Sequence, residues 1–130
     1  MATDQYHEPP DELSQEIRSF ARMILSLIEE GQAIDWYEQR MAVEKDKSAR
    51  AIMRNAQKEE FKHFSMDLEW LLRQKPAWRE IAQGILFQEG DIVEHGEDAE
   101  AEALENGGSG SEGLAEDGSL GIGSLQGAAR

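Results

Sequence analysis

Apolar residues in the first half of the chain return at steps of three and four. Leu13, Ile17, Phe20, Ile24 and Leu27 form one stripe, and Met23, Leu27, Glu30, Ile34 and Tyr37 form a parallel one. That is the period of an α-helix with one face turned to a core. Pro9-Pro10-Asp11-Glu12 lie at its start, and prolines with early acids suit a first turn, whose amides lack partners and which favours negative charge. The pattern predicts a helix from near residue 10 to about Val43. Glu44-Lys45-Asp46-Lys47-Ser48 is a polar turn, and a second helix follows from near Ser48. Its face carries Ile52, Met53, Ala56, Glu60, His63, Asp67 and Trp70, widened by Phe64, Leu68 and Leu71. Arg73-Gln74-Lys75-Pro76 closes it, because proline has no N–H and restricts the residue before it. Ala77 to Phe87 then reads as a shorter helix with Trp78, Ile81, Ile85 and Leu86, ending by Gly90.

Two long helices joined by a short turn are expected to pack as an antiparallel hairpin. Glu30 lies about fifteen residues before that turn and His63 about fifteen after it, so the two reach similar heights. Glu30 interrupts an apolar face, where a carboxylate is costly unless it is paired or binds a metal. Glu60 and His63, three apart, project from one face with Cβ atoms roughly 5–6 Å apart. In carboxylate-bridged di-metal bundles, two helices each give an inward Glu and two others each give a Glu-x-x-His. This chain holds one candidate of each kind, so Glu30, Glu60 and His63 are read as half a site that a second copy completes. Hard oxygen donors with imidazole suit iron and its neighbours. The competing reading places Glu30 at the stripe's edge in solvent and makes Glu60 a surface acid beside a satisfied His63; spacing alone leaves both open.

Composition changes the picture at the C-terminal end. From Asp91 to Asp117 there are ten Asp or Glu and no Lys or Arg, and nine of the twelve glycines lie at or beyond Gly96. So little apolar surface does not offset the entropy of ordering, and the stretch is read as disordered. The expected organisation is a helical half-bundle over 1–95, an acidic Gly-rich linker over 96–118 and a terminal peptide over 119–130. In that peptide Leu120, Ile122 and Leu125 stand among small residues, as in a short docking motif or a plain flexible end. The net charge of −14 opposes nucleic-acid binding, which needs a basic stripe. Without cysteine there is no disulfide framework, thiolate metal site or cysteine nucleophile. No apolar run is long enough for a membrane span, and the N-terminus lacks the marks of a signal peptide, so the expected location is cytoplasmic. About ninety folding residues in a hairpin with one short helix leave a broad apolar face uncovered, so self-association is expected.

The chain also resembles a known family. Leu27-Ile28-Glu29-Glu30, Ala33-Ile34-Asp35-Trp36-Tyr37, Asn55, Glu59-Glu60, His63, Met66, Leu68-Glu69-Trp70-Leu71 and Leu86-Phe87-Gln88-Glu89-Gly90 closely resemble the encapsulated ferritins, over most of the chain from His7 to Gly90. The resemblance implies an all-α fold, a hairpin dimerising into a ferritin-like four-helix bundle, with a ferroxidase di-iron centre at the dimer interface and five dimers in an open ring, a homodecamer. Carried over by position, Glu30, Glu60 and His63 match the iron ligands and Tyr37 an aromatic beside them. Glu29 and Trp36 match part of an outer cation-access region. At Gln32 the family pattern has a second glutamate; an amide binds cations more weakly. Ser119-Leu120-Gly121-Ile122-Gly123-Ser124-Leu125 resembles the peptide that docks such cargo inside an encapsulin shell.

The resulting expectation is an iron-oxidising cargo enzyme that converts Fe(II) to Fe(III) at the shared site and passes it on for storage in the nanocompartment. Two other readings share parts of the sequence: another di-metal carboxylate protein with peroxide or manganese chemistry, and a helical assembly protein without metal chemistry.

Overall fold

Ser14 sets where the first long helix begins. Its Oγ accepts a hydrogen bond from the Ile17 amide at 3.2 Å, which satisfies one of the free donors of a helix start, and α1 then runs over Gln15–Val43. The sequence pattern placed this start near residue 10. Instead Pro10–Glu12 forms a separate 3-10 turn and Leu13 is extended (φ −102°, ψ 141°), so the chain breaks once before α1. Arg18 Nε donates to the Pro10 carbonyl at 2.7 Å and holds the turn against the helix. The computed structural model describes residues 5–109. Among these every regular element is helical, with no strand, and no helix is long and apolar enough to cross a membrane.

The chain divides into two compact units, Met1–Gln74 and Lys75–Arg130, rather than into the single helical region expected over 1–95. In the first unit, Glu44 ends α1 with extended backbone (φ −77°, ψ 129°), and α2 runs over Lys47–Gln74. Asp46 starts α2 by accepting from the Ala49 amide at 2.8 Å, and the Glu44 carboxylate accepts from the Asp46 amide at 3.0 Å. Both acids sit where the positive end of the helix dipole favours them. A three-residue connection over 44–46 makes α1 and α2 an antiparallel pair, each about 42–44 Å long at 1.5 Å per residue. α1 passes Gly31 without interruption although glycine is a weak helix former. A Cβ there would meet the Phe64 ring at 3.5 Å, an ordinary contact distance, so packing does not require glycine at this position.

Gln57 ties the two helices in register. It is buried, and its side-chain amide donates to the Ile34 carbonyl at 3.1 Å and to Glu38 Oε1 at 2.9 Å. Gln57 sits one turn nearer the connection than Glu60, as Ile34 sits one turn nearer than Glu30, so this strut aligns the level where those residues meet. Leu71 is fully buried, with Met41 and Leu72 nearly so. Ile17, Ile28, Trp36, Ile52, Phe61 and Met66 are exposed, because two helices share only one seam.

In the second unit, Pro76 opens α3, Pro76–Ile85, where a missing N–H costs nothing. α4 spans Ile92–Ser109 and corrects the expectation of disorder from Asp91 onward: the disordered linker read over 96–118 is helical through Ser109. Asp91 caps α4, its Oδ1 accepting from the Glu94 amide at 3.0 Å. Ala99 and Ala103, four apart and almost fully buried, form the packed stripe. A Cβ on Gly84 of α3 would lie 2.6 Å from the Ala99 Cβ, so only glycine fits there. Asn106 adds a hydrogen bond from its side-chain amide to the Glu80 carboxylate. The acids of α4 lie outward, and its alanines and glutamates are good helix formers. The rest of the linker and the peptide over 119–130, with Leu120, Ile122 and Leu125, lie outside the described residues.

Gln57→Ala removes both cross-helix hydrogen bonds, one to a carboxylate. It is expected to lower the unfolding free energy of the metal-free protein by about 1.5–3 kcal/mol, measured by urea denaturation.

Candidate metal centre

The level set by the short connection and Gln57 is where Glu30 of α1 meets α2. Glu60 and His63, three apart on α2, both face it, and ligand atoms from Glu30, Glu60 and His63 all lie within 4.8 Å of one another. His63 Nδ1 is 3.5 Å from Glu60 Oε1. All three side chains are partly buried, which leaves an open side to the group. The hairpin therefore brings together the three residues singled out from spacing, within one chain.

Glu30 is the most perturbed member. Its Oε1 is buried, and its hydrogen-bonding neighbour is another acid, Asp67, so the contact forms only when one carboxyl of the two is protonated. Burial first, then the neighbouring Asp67 carboxyl, and then the charges of Glu60 and Glu29 push the Glu30 carboxyl up to about 7. Each of these causes disfavours a negative charge at this place. A bound cation reverses the balance, since it supplies the missing partner and turns crowded carboxylates into a ligand set. The donors are two carboxylates and one imidazole, a set that suits a first-row divalent ion such as iron, manganese or zinc. The contact of the Glu30 carboxyl with the acid Asp67 and the crowding of like charges around it fit such an ion.

The other sequence candidates stand apart from this group. Glu29 and Trp36 are exposed on α1 and Gln32 between them is half-buried; none joins the cluster. Tyr37, two turns from Glu30 on the same stripe, lies under the Arg40 guanidinium, 5.4 Å from the ring centroid. Glu59, next to Glu60, turns away and pairs with Lys62 at 2.9 Å, which lowers its pKa. Asp67 was given no role by its sequence setting, yet it is buried against the Glu30 carboxyl, with no donor from elsewhere at Oδ2. The signal was present in its spacing: it stands seven after Glu60 and four after His63 on one helical stripe.

A helical hairpin with an inward Glu on one helix and a Glu-x-x-His on the other is half the ligand arrangement of a carboxylate-bridged di-metal bundle. The chain belongs to the EncFtn-like family, whose sequence model matches residues 5–89, from the lead into α1 to just past α3. It is 39% identical over 135 residues to the "Encapsulated ferritin-like protein" of Rhodospirillum rubrum, covering 98% of this chain and 92% of that one. It is 41% identical over 105 residues to the "Ferritin-like protein" of Thermotoga maritima, covering 81% of this chain and 92% of the relative. The crystal structure of a protein from Nitrosomonas europaea superposes with a TM-score of 0.67 at 42% identity, over 69% of this chain and 99% of that one.

A half-buried carboxyl crowded by other acids in this seam opposes folding when no cation is present. Glu30→Leu is expected to stabilise the metal-free protein by about 1–3 kcal/mol, read from its melting temperature. The same variant is expected to lose the further rise that Zn(II) gives the wild-type chain, since a ligand stabilises only the state it binds.

Proposed function

We propose that the protein is a ferroxidase that works as a homodimer and as cargo of an encapsulin shell. The observation that carries this reading is the convergence of Glu30, Glu60 and His63 within 4.8 Å in one hairpin. Two copies related by a twofold axis supply four carboxylates and two imidazoles, the inventory of a di-iron bundle site. The exposed apolar residues Ile28, Trp36, Ile52, Phe61 and Met66 supply a surface that a second copy covers. Membership of the EncFtn-like family and the names of its relatives, ferritin-like and encapsulated ferritin-like, support iron as the substrate and a shell as the partner. The resemblance implies five such dimers in a decameric ring, located in the lumen of the shell.

In this reading two Fe(II) ions arrive as substrate and lose one electron each to dioxygen, which takes up two protons and leaves as hydrogen peroxide. Glu30 and Glu60 favour the product, because hard anionic oxygens bind Fe(III) more tightly than Fe(II). His63 holds a terminal position. Glu29, with its exposed carboxylate one residue before Glu30, raises the local concentration of cations outside the centre; Gln32 contributes no charge there. Tyr37 and Trp36 line the approach along α1.

Glu60→Ala and His63→Ala each remove a direct ligand. Their loss of oxidation rate is expected to reach or exceed the roughly 10–100-fold typical of changes to groups around a metal site. The measurement is ferric absorbance after Fe(II) is added to the protein in air, with helicity checked by circular dichroism. Native rates in both variants would place the reaction elsewhere.

The stretch between the end of α4 and Gly118 serves as a tether, and Leu120, Ile122 and Leu125 as the docking residues. Each buries a side chain worth about 1.5–3 kcal/mol before ordering costs, so a single peptide binds modestly and retention depends on several tails from one oligomer. Deleting residues 119–130 is expected to leave iron oxidation unchanged and to abolish co-purification with an encapsulin shell. Packaging of the truncated chain at full efficiency would remove these residues from the docking role.

A further inference from the structure

Among the described residues, Asp67 is the only buried charged one, at 8% exposure. Its Oδ2 and Glu30 Oε1 receive no donor from elsewhere in the fold; the two carboxyls lie against one another and hydrogen-bond only when one of them is protonated. Asp67 lies on the stripe of α2 that carries Glu60 and His63, one turn beyond His63. A buried carboxylate oxygen without a donor is unfavourable, and buried charges are ordinarily paired or bound to metal. No Lys or Arg is paired with Glu30 or Asp67 among the ion pairs of the described residues.

We propose that Asp67 is a fourth metal-ligating residue of each chain, its carboxylate closing with that of Glu30 on a cation that prefers hard oxygen donors, while Glu60 and His63 approach from the adjoining turns. This rests on Glu30, Glu60 and His63 forming a metal centre. A third carboxylate alters what the centre favours: three negative charges balance a trivalent ion within one chain, so the oxidised product is held more strongly than the substrate. Asp67 thereby also gives a single hairpin enough donors to capture one ion ahead of dimerisation.

The test uses the metal-free full chain and Co(II), a redox-silent probe whose visible bands report ligand number and type. Asp67→Asn keeps the shape and removes the charge. It is expected to weaken Co(II) binding by about 10–100-fold and to change the visible spectrum. A second measurement needs no variant. With ¹³C at the aspartate carboxylates of the wild-type chain, one equivalent of Co(II) is expected to shift an isotope-edited infrared carboxylate band. Wild-type affinity and spectrum in Asp67→Asn, or an unmoved infrared band, overturns the assignment. If Glu60→Ala loses Co(II) in that same assay, the centre itself stands and only Asp67 falls. A wild-type chain that binds no Co(II) overturns both.

Discussion

The register of α1 against α2 is the constraint on which the centre depends. A slip of one residue along either helix turns its side chains by about 100° and carries the ligands off the shared level. Two local devices hold the register. The connection over 44–46 is short and doubly capped by Glu44 and Asp46, and Gln57 reaches across the seam to Ile34 and Glu38. Neither touches the candidate ligands. The hairpin can therefore carry a cluster of mutually repelling acids, because its alignment is secured one turn away and at its closed end. Stability given up at a functional site in this way is a common compromise in natural proteins.

Much of this was legible from residue order. The stripes of α1 and α2, the polar connection, the break at Pro76 and the meeting of Glu30 with Glu60 and His63 all follow from helical period and loop length. Helix starts were less legible, since Ser14 and Asp46 act through single hydrogen bonds that a hydropathy pattern does not record. α4 was missed for another reason. A count of acids and glycines describes average solubility, whereas Ala99 packs closely on Gly84 and Ala103 is buried one turn further on. Small residues carry little apolar area and so weigh little in composition. They allow helices to approach closely, which larger side chains prevent.

Asp67 illustrates a further difficulty. Asp67 shares the inward stripe of Glu60 and His63, where an acid four residues further on carries no motif of its own, and its burial against Glu30 distinguishes it. Spacing identifies which residues share a face. Whether a carboxylate at the margin of that face meets water or a neighbouring helix depends on side-chain packing around it, here the approach of Glu30 from α1.

The three-residue connection also bears on how the molecule comes together in time. Contacts between helices joined so closely involve short chain separations near the turn, and topologies rich in local contacts reach their folded state quickly. The hairpin can zip from residues 44–46 outward as a unimolecular event, independent of concentration. In the proposed dimer, each chain would then reach its partner with Glu30, Glu60 and His63 already aligned. The ordering entropy of those side chains has been spent before the encounter, which leaves the slow, concentration-dependent step to the joining of two preformed halves.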